Sequence, residues 1–500
     1  MNQYPLLIHL GWIGVMLAIG MLLRAKIPLL RNMLMPSCVL AGIVGFALMN
    51  TEVLPLDFSL LSTITSQLFT LSFISIGLTA PDKDRNESGG EQAKEIVKGS
   101  LGIGVVWMII FALQTVGGCG LIKLYDMITG SELAPFYGYM LARAFAQGPG
   151  QAVANGGIFE GFGWENAAMI GLTFAAYGFL FAFLLGVPLA RWGLKRNLPR
   201  YKSGEVSHDV AVGYFSKDVE HPSAGKQTTH SGNLDSMAFH MAVLMICYLA
   251  TYYWTFWAAS HLNDTWSKTC IGMIFLWGMI VGYIARFILK KLKLAHLIDN
   301  TTQKRITGFL TDFLITASFM SVSVKILGSL FIPITIVSTV AALVTLGVCI
   351  FFGQRFGARH DFERTLALYG MATGTAPSGI ALARIVDPEL KTTTTVEIGG
   401  SNLFMNLNLL LVPINIATAA GDMKLLTGLM WVSLFIIPLL ILLKVGGAFG
   451  KKTYTLRNQC DPPGECRHLK RPCIRHLISP ERLQKTTSLF GRGGFVLGCN

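Results

Sequence analysis

The amino-acid sequence predicts an all-α integral membrane protein. Two inverted repeats of about five transmembrane helices, each with a re-entrant broken hairpin, are followed by an extra C-terminal span. Three observations support this fold class. Of the 500 residues, 52% are hydrophobic and 14% are charged, whereas soluble globular chains carry about 25% charged residues. The apolar residues form stretches of roughly 20, long enough to cross a bilayer as helices. Short motifs also recur in the two halves of the chain.

Eleven apolar stretches are interpreted as transmembrane helices. They cover approximately residues 5–23, 32–50, 58–80, 99–122, 164–190, 237–260, 269–289, 307–327, 333–353, 392–418 and 425–448. Two further apolar stretches, 135–160 and 365–387, contain Gly and Pro. Because these residues interrupt helices, both stretches are interpreted as broken hairpins.

The positions of Lys and Arg predict the orientation in the membrane. Alternate loops hold 23 of these residues, whereas the intervening loops hold Lys123, Lys268 and Lys424. The basic loops are 24–31, 81–98, 191–236, 286–305 and 355–364. Since basic loops stay in the cytoplasm, we expect the N-terminus outside and the C-terminus inside the cell inner membrane. This alternation requires both broken hairpins to enter the bilayer without crossing it.

The net charge of +13 does not indicate a nucleic-acid partner. The tail after Gly450 holds ten Lys/Arg and three Asp/Glu, and therefore supplies +7 of this charge. Most other basic residues lie in short loops, as in membrane proteins, and not in one basic stripe. The tail also holds Cys460, Cys466, Cys473 and Cys499, but their spacing fits no standard zinc site. The lipid bilayer is the predicted environment, with no cofactor and no metal beyond sodium.

The domain organisation follows from a weak internal duplication. Ala146-Gln147-Gly148 resembles Ala372-Thr373-Gly374, and Gly42–Phe46 resembles Met279–Tyr283. Since five crossings per repeat is an odd number, the two repeats must be inverted, which is a transporter architecture. The predicted divisions are an N-terminal repeat 1–190, a cytoplasmic linker 191–236, a C-terminal repeat 237–423, an added helix 424–448 and a basic cytoplasmic tail 449–500.

The broken hairpins supply the candidate substrate-binding residues. Interrupted helices expose amide groups that can hold a carboxylate and carbonyl groups that can hold a cation. Neutral amide and hydroxyl side chains add further donors and acceptors. The candidates are Gln147, Gly148, Gly150, Gln151, Asn155, Thr373, Gly374, Thr375, Ser378 and Arg384. Arg143 flanks the first hairpin as Arg384 flanks the second, and either arginine could pair with a substrate carboxylate or extend towards the surface. Small-residue packing between helices is the alternative role for the glycines.

Charged and amide residues inside the predicted spans are the candidates for ion coupling, because polar groups at membrane depth are rare and usually functional. They are Asp312, Glu397, Asn402, Asn406 and Asn408. For Asp312, a structural ion pair with Lys325 is an equal alternative.

Three motifs carry a resemblance to a known family. Met35-Pro36 opens the second span, Gly148-Pro149-Gly150-Gln151 lies in the first hairpin and Gly374-Thr375-Ala376-Pro377-Ser378 lies in the second. This arrangement resembles the sodium/glutamate symporter family over most of residues 30–420. The resemblance implies inverted five-helix repeats, two re-entrant hairpins, a homodimer and elevator-like movement. The first hairpin of that family typically reads Gly-His-Gly-Thr-Gly, from which this chain departs.

The predicted function is sodium-coupled symport of a small carboxylate, with glutamate as the first candidate and sodium as the coupling ion. A sodium- or proton-coupled carrier of a di- or tricarboxylate is the alternative. A membrane-embedded enzyme is a third hypothesis. It is disfavoured because no HisGluXXHis, AspXXAsp or GlyXSerXGly cluster occurs in the sequence. Paired hairpins also argue against a channel.

Overall fold

The computed structural model describes residues 5–79, 90–130, 134–200, 208–217, 219, 221, 223–230, 232–387 and 391–455. The regular elements of these residues are all helical. Most of the predicted tail 449–500, including its four cysteines, lies outside the described residues.

The first half of the chain contains nine helices. They are α1 (Pro5–Lys26), α2 (Pro28–Asn32), α3 (Ser37–Asn50), α4 (Phe58–Leu78), α5 (Gly90–Thr129), α6 (Gly138–Phe145), α7 (Gly148–Glu160), α8 (Ala167–Lys195) and α9 (His208–Val212) within the described residues. A 3-10 turn at Pro135–Tyr137 leads into α6.

The second half continues with twelve helices among its described residues. They are α10 (Ser236–Ala259), α11 (Asp264–Gly272), α12 (Ile274–Lys291), α13 (Asn300–Met320), α14 (Val324–Leu327), α15 (Phe331–Gly353), α16 (Asp361–Ala372), α17 (Ala376–Val386), α18 (Thr394–Met405), α19 (Val412–Ala420), α20 (Leu425–Leu434) and α21 (Ile436–Val445). A 3-10 segment at Asn406–Leu411 joins α18 to α19.

Fewer helices meet the length and polarity of a simple membrane span than the eleven predicted. Eight spans in the described residues do so, and α11 with α12, bent by 61°, would make a ninth. The predicted span 32–50 corresponds to α3, which has 14 residues. The predicted span 307–327 corresponds to α13, which begins earlier and carries Lys304, Arg305 and Asp312. Short and polar helices of this kind are shielded from lipid by packing against other helices, as α3 and α13 do against each other.

Both predicted hairpins consist of two short helices separated by a break. The first break, at Ala146 and Gln147, separates α6 from α7, and the second, at 373–375, separates α16 from α17. Pro149 and Pro377 lie in the first turn of the second helix of each hairpin. Since a first-turn residue needs no amide donor, each proline lies at the start of the second helix of its hairpin, just after the predicted interruption.

The helices pack as two groups. In the first group α4 packs against α13, while α3 packs on α13 and α12 packs on α4. In the second group α5 packs against α6 and α18, and α15 packs against α8 and α16. The two hairpins belong to the second group, and α7 contacts both α4 and α13 of the first. The first break therefore lies near the boundary between the groups.

Two histidines make the same contacts in the two halves. The His9 ring of α1 bonds at Nδ1 to the Pro5 carbonyl (2.6 Å) and at Nε2 accepts the Asp57 amide (3.0 Å). The His240 ring of α10 bonds the Ser236 carbonyl (2.6 Å) and accepts the Asp299 amide (2.9 Å). Asp57 and Asp299 in turn cap α4 and α13 through their carboxylates. These matching contacts relate α1 to α10 and α4 to α13.

Candidate functional site

The breaks of the two hairpins lie against each other. Gly148 has φ +81°, a conformation that glycine adopts without the penalty of other residues. A Cβ atom placed on Gly148 would lie 2.7 Å from Thr375 Cγ2 and 3.6 Å from the Gly374 carbonyl oxygen. The position therefore requires glycine both for its backbone and for the approach of the second break.

A cavity of about 830 Å³ lies beside these breaks. Its wall includes residues at the start of α7 and of α17, so the N-terminal turns of both helices border it. The amide groups of a first helical turn have no partners within the helix and form a favourable environment for an anion. Residues of α4, α12, α13, α18 and α19 also line it, with single residues of α5, α6, α11 and α16 and several of the 3-10 segment after α18.

Eight of the predicted site residues line this cavity. They are Gln147, Gly150, Gln151, Asn155, Thr375, Asn402, Asn406 and Asn408. The first and last of these residues are more than 260 positions apart in the sequence, and the fold brings all eight to one cavity. The polar side chains in this set are all uncharged amides or a hydroxyl.

Arg143 provides a buried positive charge at the cavity. It is 3% exposed, and its Nε donates to Asn155 Oδ1 at 2.9 Å. The guanidinium lies 5.7 Å from the ring centroid of Phe111 and 5.5 Å from that of Phe159. Its Nη1 is buried without a hydrogen-bond partner. Buried charges are usually paired, so this arginine has an unmet requirement for an acceptor.

Further buried polar atoms of the cavity wall also lack partners. They are Thr375 Oγ1, Asn408 Oδ1 and both amide atoms of Asn415. Native proteins satisfy the great majority of such groups, and exceptions call for an unseen ion, water or ligand. The concentration of unpaired donors and acceptors at one cavity is the property expected of a binding site.

Four predicted residues lie at the breaks but not on the cavity wall. Gly148 and Gly374 form the contact between the hairpins. The Thr373 hydroxyl donates to the Tyr369 carbonyl at 2.8 Å. Ser378 is buried, and a Cβ on Gly374 would lie 2.8 Å from its Oγ. The side chains of Thr373 and Ser378 thus pack within the second hairpin.

Gly150 has a packing role in addition to its place on the wall. A Cβ placed on Gly150 would overlap the ring of Phe69, another wall residue. A larger residue here would displace the ring before it filled the cavity. The small-residue packing considered from the sequence therefore applies to this glycine.

Glu397 lies outside the cavity, in a buried ion-pair cluster. Arg364 donates to it through Nε (2.7 Å) and Nη2 (2.5 Å), and also through Nη1 to Asp361 (3.1 Å). The Thr393 hydroxyl donates to Glu397 Oε1 at 2.7 Å, and the His360 ring bonds to the same Oε1 at 3.2 Å. Because the hydrogen-bonding capacity of this carboxylate is already used by protein groups, the geometry does not favour Glu397 as an ion-coupling residue.

Asp312 and Arg384 also lie off the described cavity wall. Both side chains are exposed. Lys325, considered as a partner for Asp312, pairs with Glu52 instead. Of the two arginines that flank the hairpins, the structure places Arg143 at the cavity and Arg384 away from it.

The cavity contains residues that sequence reasoning missed. Asn415 lies in α19, and Thr307 and Thr311 lie in α13 beside the break region of the first hairpin. Asn415 follows Pro413 in an apolar span, and that combination was an available signal. The aromatic wall residues, such as Phe73 and Phe275, give no signal because apolar residues are common in any span.

Comparison with known proteins agrees with the resemblance of the motifs. The family model of the sodium/glutamate symporter matches residues 7–386, a range that includes both hairpins. A sodium/glutamate symporter of Haemophilus influenzae is 24% identical over 375 residues, which are 74% of this chain and 85% of that protein. These matches and the apolar helices describe a multi-pass membrane transporter and not an enzyme. The chain belongs to the sodium/glutamate symporter family.

Proposed function

We propose that this protein takes up a small carboxylate together with sodium, through the cavity where the two hairpin breaks meet. Family membership supports sodium-coupled symport. The observation that carries the site is Arg143, a buried cation whose Nη1 lacks a partner at the cavity. Glutamate is the first candidate substrate because it appears in the name of the relative from Haemophilus influenzae.

The substrate carboxylate would pair with Arg143 and with free amides at the start of α7. A hydrogen-bond chain already prepares this position, because Asn155 accepts from Arg143 and donates to Gln151 Oε1 at 3.0 Å. The N-terminal turn of α17 faces the same cavity through Thr375, Ala376 and Pro377. A substrate with two carboxylates could thus engage both hairpins.

Sodium would bind at neutral side-chain oxygens of the same cavity. Asn408 Oδ1, Asn415 Oδ1 and Thr375 Oγ1 are buried without partners and line the cavity. In transporters, sodium is typically held by backbone carbonyls of unwound helices, and neutral side-chain oxygens are ligands of the same kind. Asn402 of α18 and Asn406 of the following 3-10 segment also line the cavity, so these amides remain proposed ion-coupling residues, whereas Glu397 and Asp312 do not.

We also propose the inverted five-helix repeats and re-entrant hairpins expected from the sequence, with the predicted domain divisions. The matching contacts of His9 and His240 support the repeat. So does the pairing of elements, because α3 packs on α13 as α12 packs on α4. A homodimer in the inner membrane, with the N-terminus outside, completes the proposal and rests on the family resemblance and on loop charge.

Uptake into proteoliposomes tests the function. An anion accumulated against a negative membrane potential needs a cation, since each charge costs about 2.3 kcal/mol per 100 mV. We expect a panel of small acids to include one that accumulates only with an inward sodium gradient. Undiminished accumulation in sodium-free, proton-clamped vesicles would contradict sodium coupling.

Cysteine labelling in whole cells tests the orientation. Phe215 lies in the predicted cytoplasmic linker and Asp264 in a predicted outer loop, and both side chains are exposed. We expect a membrane-impermeant maleimide to label Asp264→Cys and not Phe215→Cys. The reverse labelling pattern would overturn the proposed topology.

A further inference from the structure

A histidine lies inside the ion-pair cluster at the start of the second hairpin. His360 immediately precedes α16 and is 0% exposed. Its Nε2 lies 3.0 Å from Thr393 Oγ1 and 3.2 Å from Glu397 Oε1. Its Nδ1 is buried without a hydrogen-bond partner and lies 3.6 Å from Oε1 of Glu95, near the start of α5. The ring therefore lies between two carboxylates that belong to different helices.

The hydrogen bonds identify the nitrogen that carries the proton of a neutral His360 ring. The Thr393 hydroxyl has one proton, and it donates this proton to Glu397 Oε1 at 2.7 Å. An ionised carboxylate only accepts hydrogen bonds. Nε2 is therefore the donor to these oxygens, which leaves Nδ1 of the neutral ring as an acceptor. Since Glu95 Oε1 is also an acceptor, two acceptors face each other across 3.6 Å, and a proton on Nδ1 would join them.

Acidic side chains outnumber basic ones around this ring. The acids come from three helices and are Glu95 of α5, Asp361 and Glu363 of α16, and Glu397 of α18. Arg364 is a buried cation of the same cluster and donates to Glu397 and Asp361. Lys98 lies beside Gly357, and Arg359 precedes the ring in the chain, but neither side chain is buried. Because solvent screens exposed charges, the cluster has an excess of negative charge that a proton on His360 would reduce.

We propose that Nδ1 of His360 is a proton-binding site. The side chain of Glu95 is 37% exposed, so it connects the buried ring to solvent, from which the proton is taken and to which it returns. The protonated Nδ1 donates to Glu95 Oε1 in a charge-assisted hydrogen bond, while Nε2 keeps its bonds to Thr393 and Glu397. One proton thereby joins the start of α5 to α16 and α18.

The position of the site connects proton binding to the hairpin and the cavity wall. α16 leads to the second break, and α18 carries Glu397 in its first turn and Asn402 on the cavity wall. The proton therefore stabilises the packing of both helices, on the membrane face that loop charge predicts to be cytoplasmic. The site is separate from the cavity, so the proposal does not depend on the identity of the substrate.

Direct titration of the ring tests the proposal. The full chain, labelled with 15N-histidine and purified in detergent, is followed by NMR from about pH 8 to about pH 5, the range in which histidine changes charge. His360→Gln identifies the resonances of this ring among the ten histidines. We expect both ring nitrogens of His360 to be protonated at the acidic end of the range. A ring that stays neutral there overturns the proposal.

Glu95→Gln tests the partner of the protonated ring. The variant keeps a side-chain oxygen and removes the charge. Because an opposite charge within about 4–6 Å can shift a titration by about 1–3 pH units, we expect the proton affinity of His360 to fall by roughly tenfold or more. Glu165→Gln is the control, since this exposed acid lies in the loop before α8. Unchanged proton affinity in Glu95→Gln overturns the proposed site.

The melting temperature gives a second measurement. A proton bound more tightly by the folded chain stabilises the fold at low pH, and this contribution is lost as the pH rises. Relative to His360→Gln, we expect the melting temperature of the unmodified protein to fall between about pH 6 and about pH 8. His296→Gln, at an exposed histidine, should behave as the unmodified protein.

Glu95→Gln keeps the melting test valid if His360→Gln does not fold. It should show the same reduced dependence on pH as His360→Gln. Equal pH dependence in the unmodified protein and in these variants overturns the proposal, and it leaves the proposed transport function intact.

Discussion

Arg143 and Arg364 are two buried arginines of the two hairpins, and they have opposite surroundings. Arg364 has three hydrogen bonds to the carboxylates of Glu397 and Asp361. Arg143 has one bond to a neutral amide, contacts with two rings and an Nη1 without a partner. The charge of the first hairpin therefore has a free donor, which we propose binds a ligand, whereas the charge of the second is paired within the protein.

This difference assigns separate tasks to the hairpins. The cluster around Arg364 joins α16 to α18, and Thr453 of the chain after α21 also donates to Asp361 at 2.8 Å. Such a network anchors the first helix of the second hairpin. The first hairpin instead supplies Arg143, Gln147, Gln151 and Asn155 to the cavity. We propose that these polar groups bind the substrate.

The largest effect is expected when Arg364 is removed. Arg364→Met leaves Glu397 buried without its main partner, and breaking a buried ion pair in this way costs about 3–5 kcal/mol. We expect the free energy of unfolding to fall by that amount, seen as a large drop in melting temperature in detergent. Arg143→Met is the matched control and should keep its melting temperature. Equal losses in the two variants would remove the distinction between the arginines.

A double variant sharpens the same point. Arg364→Met/Glu397→Leu removes both charges, and an apolar pair of similar volume is often as stable as a buried ion pair. We therefore expect the double variant to regain at least half of the melting temperature lost in Arg364→Met. A further decrease would show that Glu397 stabilises the fold independently of Arg364.

The contact between the hairpin breaks predicts an intermediate effect. Gly148→Ala places a side chain at φ +81°, which costs about 1–2 kcal/mol, and pushes it against Thr375 Cγ2. Gly421→Ala is the matched control, since Gly421 has φ +86° with open space around its Cβ position. We expect Gly148→Ala to lose more stability and more uptake than Gly421→Ala.

Removing the methyl group that Gly148→Ala meets should restore part of the loss. Thr375→Ser deletes Cγ2 and keeps the hydroxyl, so Gly148→Ala/Thr375→Ser should be more active than Gly148→Ala. If Thr375→Ser gives no relief, the two breaks do not meet as the structure has them.

The smallest effect on stability is expected at an unpaired hydroxyl of the cavity. Thr375 Oγ1 has no partner, so Thr375→Val should change the free energy of unfolding by less than about 0.5 kcal/mol. We nevertheless expect uptake, or its dependence on sodium, to fall, because the hydroxyl is proposed to bind sodium. Thr373→Val is the control, because its hydroxyl bonds the Tyr369 carbonyl. Unchanged transport in Thr375→Val would remove this hydroxyl from the site.

Much of the hairpin geometry was predictable from local sequence. Gly and Pro in an apolar stretch predict an interrupted helix wherever they occur, and the breaks at Gln147 and Thr373 follow from them. The amides near these breaks could be grouped from the sequence because polar residues in apolar spans are few, and they line one cavity in the structure. The sequence did not show that Pro149 lies in the first turn of α7, since a first-turn proline and a proline inside a helix look the same until the helix start is known.

The choice between charged residues required the structure. Arg143 lies in the helix before the first break and Arg384 in the helix after the second, and the sequence alone does not show which of them reaches the cavity. Glu397 is a rare buried acid, but its partner Arg364 lies 33 residues away on another helix. A single sequence contains no signal for that pairing. Eight helices of the described residues meet the length and composition of a simple span, against eleven predicted, because hydropathy does not describe the packing of the polar helix α13 on α3 and α4.

Equilibrium binding to Arg143→Gln tests the central claim most directly. The ligand is the acid that the unmodified protein accumulates in the uptake experiment, in labelled form. Its binding to the purified protein is measured in the presence of sodium, and the melting temperature of each protein is recorded. Loss of one partner from a buried charge pair costs about 2–5 kcal/mol, so we expect Kd to rise by roughly 30-fold or more. The melting temperature of Arg143→Gln without substrate should equal or exceed that of the unmodified protein. Undiminished affinity in Arg143→Gln would contradict the account, because the cavity would then bind its anion without the one buried cation on its described wall.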